Sequence, residues 1–309
     1  MRSRGDIQGL RAIAVLLVVL AHAGVPGFAG GYIGVDVFFV VSGYLITSIL
    51  LHEATEHGSV SLAGFYAKRA RRILPAATVT LTVTAVAAIV LLPYVRAQKV
   101  LGDVAWSAFF AANLRFGQQE TDYFSRGQPP SPLQHVWSLA VEEQFYLVWP
   151  TLLVLVLVIG ARRRAANVRR RLLWLGLVAA GLTAASFAWS VQTTPTDPTG
   201  AYFSTATRGW ELGAGALLAL AGRSLPLLGG MTRAVLAALG LTSIAVAAAT
   251  FTDHTPVPGY HMALPVVGTA ALLAAGSGIP DRSGPLVVRL FGRQPLRWIG
   301  DVSYGFYLW

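Results

Sequence analysis

The chain has 309 residues, 54% of them hydrophobic and only 12% charged, with a mean hydropathy of +0.58. A soluble domain would carry about 25% charged residues, so an ordinary soluble enzyme and a disordered chain are both excluded. Cysteine is absent, which removes disulfides, thiolate nucleophiles and Cys-ligated metals.

The net charge of +10 lies in short basic blocks between apolar runs. That is the pattern of cytoplasmic loops facing anionic lipid, not of a nucleic-acid surface. Residues 1–11 are basic, 12–21 are apolar, and Ala21-His22-Ala23 imitates a signal-peptide cleavage site. A second apolar run follows almost at once at 32–51, and others at 73–92, 139–159, 172–191, 203–221, 234–251 and 262–275. Each approaches the roughly 20 residues of a helical crossing. The first run is therefore read as a retained helix, and the chain as all-α, a polytopic transmembrane bundle of about ten helices.

A shorter run, 104–116, contains Asn113 and Arg115. With the N-terminus cytoplasmic and this run re-entrant or packed inside the bundle, 19 of the 24 Lys and Arg fall inside. Counting it as a full crossing would put the arginines of 162–164 and 169–171 outside, against the positive-inside rule. Cysteine at Ser125 should then label from outside, and cysteine at Asn167 only after permeabilisation. The final run, 298–309, would rise only about 18 Å against about 30 Å of hydrocarbon. The expectation is a last helix truncated by the chain end. No repeat or linker divides the sequence, so residues 1–309 are read as one domain in the cytoplasmic (inner) membrane.

Ionisable residues inside such segments are costly and point to function. Arg11 and His22 are eleven apart, hence on one helix face and about 16 Å apart along the axis. The competing structural reading is a snorkelling arginine and a histidine bonded to a backbone carbonyl. Asp36 would lie near the depth of His22 if the first two helices are antiparallel neighbours, and a carboxylate on the imidazole would raise its basicity as a general base requires. Arg69 and Arg72 are neighbours if helical. They suit a phosphorylated donor, or equally an ordinary positive-inside cluster. Glu142 and Glu143 are adjacent acids at the start of a span, where a helix N-terminus would favour them. Arg208 and Glu211, three apart, are read as an intrahelical ion pair.

Taken together, these segments resemble acyltransferase family 3, bacterial membrane enzymes that acylate cell-surface sugars and some small molecules. The resemblance is carried by Arg11-x10-His22, by Asp36-Val37-Phe38-Phe39 to Ser42-Gly43-Tyr44, and by Arg69-x-x-Arg72. Trp137-Ser138-Leu139-Ala140-Val141-Glu142 and Ser303-Tyr304-Gly305-Phe306-Tyr307-Leu308-Trp309 complete it, so that it runs through essentially the whole chain. It implies a bundle that takes an acyl group, usually acetyl from acetyl-CoA (or another acyl-CoA), on the cytoplasmic side. A hydroxyl acceptor, a glycan or a small molecule, then receives it. No metal or nucleic acid is implied.

By that resemblance His22 is the catalytic histidine, Arg11 its partner, and Arg69 and Arg72 the arginine motif. Asp36 or Glu142 is expected to orient the reacting groups, and Ser42, Trp137 and Glu143 to line the substrate site. The 137–150 stretch is most similar to members with an extracytoplasmic SGNH-type domain after the membrane part. The rival class is a proton-coupled transporter, for which repeat symmetry would be expected.

Overall fold

The computed structural model describes residues 4–119, 130–162, 168–223, 225–280 and 283–309. Helix follows helix: α1 (Gly5–His22), α2 (Gly34–His57), α3 (Leu62–Leu91), α4 (Tyr94–Ala108), α5 (Ala112–Gln118), α6 (Val136–Arg162) and α7 (Val168–Thr193). Then come α8 (Pro198–Phe203), α9 (Thr205–Leu220), α10 (Gly230–Thr250), α11 (Ala263–Ala275), α12 (Leu286–Phe291) and α13 (Leu296–Leu308). The described residues contain no strand, and six of the helices are long and apolar enough to cross a membrane. The architecture is the all-α membrane bundle expected from hydropathy.

Three elements differ from the apolar runs for local reasons. First, α3 begins eleven residues before its apolar run, because Lys and Arg are good helix formers and Ser61 caps the start, its Oγ accepting from Gly64 N at 3.1 Å. Arg69 and Arg72 are thus held on a rigid helix, not in a loop. Second, the 203–221 run is broken at Ser204, which is extended and caps α9 through Ala206 N.

Third, the 104–116 run is no single helix. It ends α4, turns through Phe110 at φ 52°, and starts the seven-residue α5. Side chains tie this irregular segment into the protein: Gln144 Nε2 donates to its Phe110 carbonyl at 2.9 Å, and its own Asn113 Nδ2 donates to Phe203 O at 3.1 Å. Broken backbone within a bundle is tolerated only when it is buried in this way.

Close approach sets the register. Gly43 of α2 lies against the carbonyl of Leu212, and Gly215 of α9 against the carbonyl of Val40, so a Cβ at either position would meet backbone. Small residues at helix crossings are the means by which membrane helices pack without a hydrophobic drive between them. Gly43→Leu should therefore separate α2 from α9 and cost about 1–3 kcal/mol or more. A Cβ at Gly176 would meet no neighbouring element within 4 Å, so Gly176→Leu should melt like wild type in detergent. Equal melting of the two variants would refute the close-packing argument.

Gly34 meets the carbonyl of Ala14, and Gly300 that of Gln8. These contacts place the start of α2 beside the middle of α1 and align α13 with α1. Ser125 and Asn167 lie outside the described residues, but the expected sidedness is testable elsewhere in a chain without cysteine. Cysteine at the exposed His254 should label from outside, and cysteine at the exposed Ser59 only after permeabilisation. The reverse pattern would invert the topology.

Candidate active site

A cavity of about 110 Å³ opens among α1, α2, α3, α6 and α13. Arg11, Ser42, Arg69, Arg72, Glu142 and Glu143 all line it, so six of the nine residues that the sequence assigned to the site meet in one place. Along α2 its wall runs from Val35 to Ile49, fourteen residues or about 21 Å of helix rise. It is a shaft along the bundle axis.

The middle and the basic end of the shaft are polar and tightly bonded. Ser42 Oγ donates to Glu142 Oε1 at 2.6 Å, and the Tyr146 hydroxyl donates to the same oxygen. Arg69 Nη2 is 3.5 Å from Glu143 Oε1 and 4.0 Å from Glu142 Oε1, while its guanidinium lies 3.6 Å from the centre of the Tyr146 ring. Arg69 Nε is buried with no hydrogen-bond partner among the described residues. With Arg11 and Arg72, three guanidinium groups face two carboxylates, so the formal charge of the lining is positive. That arrangement suits a polyanion, because guanidinium binds phosphate in forked geometry.

The other end is built by Ser138 and Tyr307. The Tyr307 hydroxyl donates to His135 O at 2.9 Å and lies 2.5 Å from Ser138 Oγ. The His135 ring stands edge-on to Tyr307 at 5.7 Å and is 3.3 Å, through Nε2, from Leu308 O. Burial pushes the His135 imidazole below its ordinary value; the Leu308 carbonyl opposes that shift and charge on nearby His22 adds to it.

His22 is exposed and does not line the shaft. Its Nδ1 lies 2.8 Å from Val18 O, which folds the ring back one turn toward the shaft, the direction helical side chains lean. An Nδ1 proton donated to that carbonyl leaves the basic lone pair on Nε2 in the neutral ring. His22 is near His135, whose carbonyl accepts from the Tyr307 hydroxyl in the shaft wall.

Two expectations need correction. Asp36 was expected to orient the imidazole of His22, but its carboxylate accepts instead from Arg208 Nη1 at 2.8 Å, in a fully buried cluster with Glu211. At 100° per residue Asp36 lies on another face of α2 from Phe38, Ser42 and Leu45 of the shaft, and that face packs on α9. Trp137, expected at the substrate site, is fully buried with its ring against Phe39, Tyr202 and Phe203. It falls on the side of α6 opposite Ser138, Leu139, Glu142 and Tyr146, which face the shaft.

The Arg208–Glu211 pair is present at 2.9 Å. Sequence reasoning assigned no role to His135, Ser138, Tyr146 or Tyr307. The quoted motifs contain Ser138 and Tyr307, and the 137–150 stretch contains Tyr146, but only the helix rotations reveal which of their residues turn inward.

The family model described as an acyltransferase domain matches residues 4–309. The chain is 35% identical, over 98% of its length, to the peptidoglycan O-acetyltransferase OatA of Listeria monocytogenes, of which it covers 48%. It is 36% identical, over 98% of its length, to the putative peptidoglycan O-acetyltransferase YrhL of Bacillus subtilis, of which it covers 47%. It is 32% identical, over its whole length, to the putative O-acetyltransferase SAS0844 of Staphylococcus aureus, of which it covers 50%. The chain thus spans about half the length of the curated relatives it matches. No solved structure matches it. With the match running over nearly every residue, and with the arginine and glutamate motif residues gathered on one shaft, the chain belongs to the acyltransferase family.

Proposed function

We propose that this chain is the membrane part of an O-acetyltransferase of the cell envelope, moving acetyl from cytoplasmic acetyl-CoA to a glycan hydroxyl on the outer side. Relatives with peptidoglycan O-acetyltransferase names support the acceptor class. The observation that carries the reading is the shaft, cationic at one end and adjoining a histidine pair at the other. The CoA phosphates stay with Arg69, Arg72 and Arg11. The pantetheine arm, comparable in length to the shaft, brings the thioester toward His22 without taking the phosphates into lipid.

His22 Nε2 then removes the proton of the acceptor hydroxyl. That oxygen bonds to the thioester carbonyl carbon, the C–S bond breaks, and the proton passes from His22 to the leaving CoA sulfur. In the two-step version Nε2 itself attacks the thioester carbonyl and the C–S bond breaks, releasing CoA thiolate; the acceptor hydroxyl then takes the acetyl group from the acyl-imidazole, and its proton passes through the freed imidazole to the CoA sulfur. Glu142 holds Ser42 and Tyr146 in the shaft wall, and Glu143 restrains Arg69.

The deciding experiment is thioester cleavage of acetyl-CoA by purified protein, with and without peptidoglycan fragments. Absence of any acceptor-stimulated cleavage would overturn the reading. Arg69→Ala/Arg72→Ala should weaken acetyl-CoA binding by about 10²–10⁴-fold, since each of the two charge-assisted contacts contributes about 1.5–3 kcal/mol. The loss should shrink at high salt because exposed charges are screened. Unchanged donor affinity in a folded double variant would leave both arginines as topology determinants.

A further inference from the structure

Arg208, Asp36 and Glu211 form a charged cluster sealed from solvent, with side-chain exposures of 2%, 2% and 0%. One nitrogen, Arg208 Nη1, donates to Asp36 Oδ1 at 2.8 Å and to Glu211 Oε1 at 2.9 Å. Arg208 Nε donates to Tyr202 O at 3.2 Å, and the rings of Tyr202 and Trp137 lie 5.0 and 5.3 Å from the guanidinium carbon. The Tyr32 phenol is also near. Glu211 Oε2 is buried with no hydrogen-bond partner among the described residues, although the Asp36 and Glu211 carboxyls are within bonding reach of each other.

Two ionised carboxylates against one guanidinium would leave an uncompensated negative charge in a dry, aromatic-walled site. Such a charge is not tolerated there, and two carboxylates in contact cannot both stay ionised. A carboxylate oxygen that lacks a donor while facing a second carboxyl is what a missing proton looks like, since heavy-atom positions do not display it.

We propose that the triad is a proton-binding site, in which Asp36 and Glu211 share one proton and the cluster is neutral. The proton supplies the donor that Glu211 Oε2 lacks. It lets Arg208 tie α9 to α2, the helix whose other face forms the shaft wall, without placing net charge in the bundle. The site does not depend on the proposed transfer reaction, and its ligand is the proton alone.

Infrared difference spectroscopy on the purified full chain at neutral pH tests this. Wild type should show a protonated-carboxyl stretching band that shifts in D2O. That band should vanish in Asp36→Asn and equally in Glu211→Gln, because either variant leaves one acid, which ionises against Arg208. If both variants lose only ionised-carboxylate bands, the shared proton does not exist. Both replacements are close in shape, and size-exclusion in detergent checks that each folds. The measurement also has a variant-free form, in wild-type protein labelled with 13C at aspartate or at glutamate carboxyls. A protonated band moved by either label supports the site, and absence of any such band overturns it.

Discussion

His22→Ala should lower acetyl transfer by about 10²–10⁴-fold, the usual worth of a general base, while acetyl-CoA binding persists. The two effects separate because the donor's phosphates are assigned to the arginine end of the shaft, whereas His22 lies off the shaft, near His135.

Isotope-labelled acetyl-CoA supplied without acceptor distinguishes the two routes. An acyl group trapped on wild type and missing from His22→Ala marks the covalent route, and no trapped group marks the direct one. A folded variant with near-normal transfer would sink both and leave His22 as a packed, hydrogen-bonded histidine.

Arg208→Met should be the most destabilising of the single substitutions considered, at about 3–5 kcal/mol, the cost of removing one partner from a buried ionic cluster. It strands Asp36 and Glu211 against each other and leaves the Tyr202 carbonyl without its donor. Arg208→Lys should rescue little, since a single ammonium does not reproduce a planar fork reaching two carboxyls and a carbonyl. Thermal unfolding in detergent, read alongside Asp36→Asn and Glu211→Gln, checks the order. The single amide variants should melt well above Arg208→Met, because each still pairs the arginine with one acid. Equal melting of all three would mean the guanidinium holds no more than its neighbours do.

The amino-acid sequence by itself determined that this is an all-α membrane chain, where most of its long helices run, and which family it belongs to. Those properties are written in local composition, in hydrophobic runs and in short motifs. The Arg208–Glu211 pair was legible for the same reason: three residues on a helix make one turn, whatever surrounds it. The interrupted 104–116 run was legible from charge, because a full crossing would have misplaced six arginines.

Only the tertiary structure decided which side chains meet. Ser42 and Glu142 are 100 residues apart, and Asp36 and Arg208 are 172 apart. Whether they touch depends on the rotation and depth of separate helices. Asp36 pairs with Arg208 instead of nearing His22: Gly34 meets the carbonyl of Ala14, which sets Asp36 opposite the middle of α1, and the rotation of α2 turns it to α9. A step of one residue turns a side chain by 100°. That same step carries Trp137 out of the site and Ser138 into it, and no pattern along the chain records which way a helix faces once it has packed.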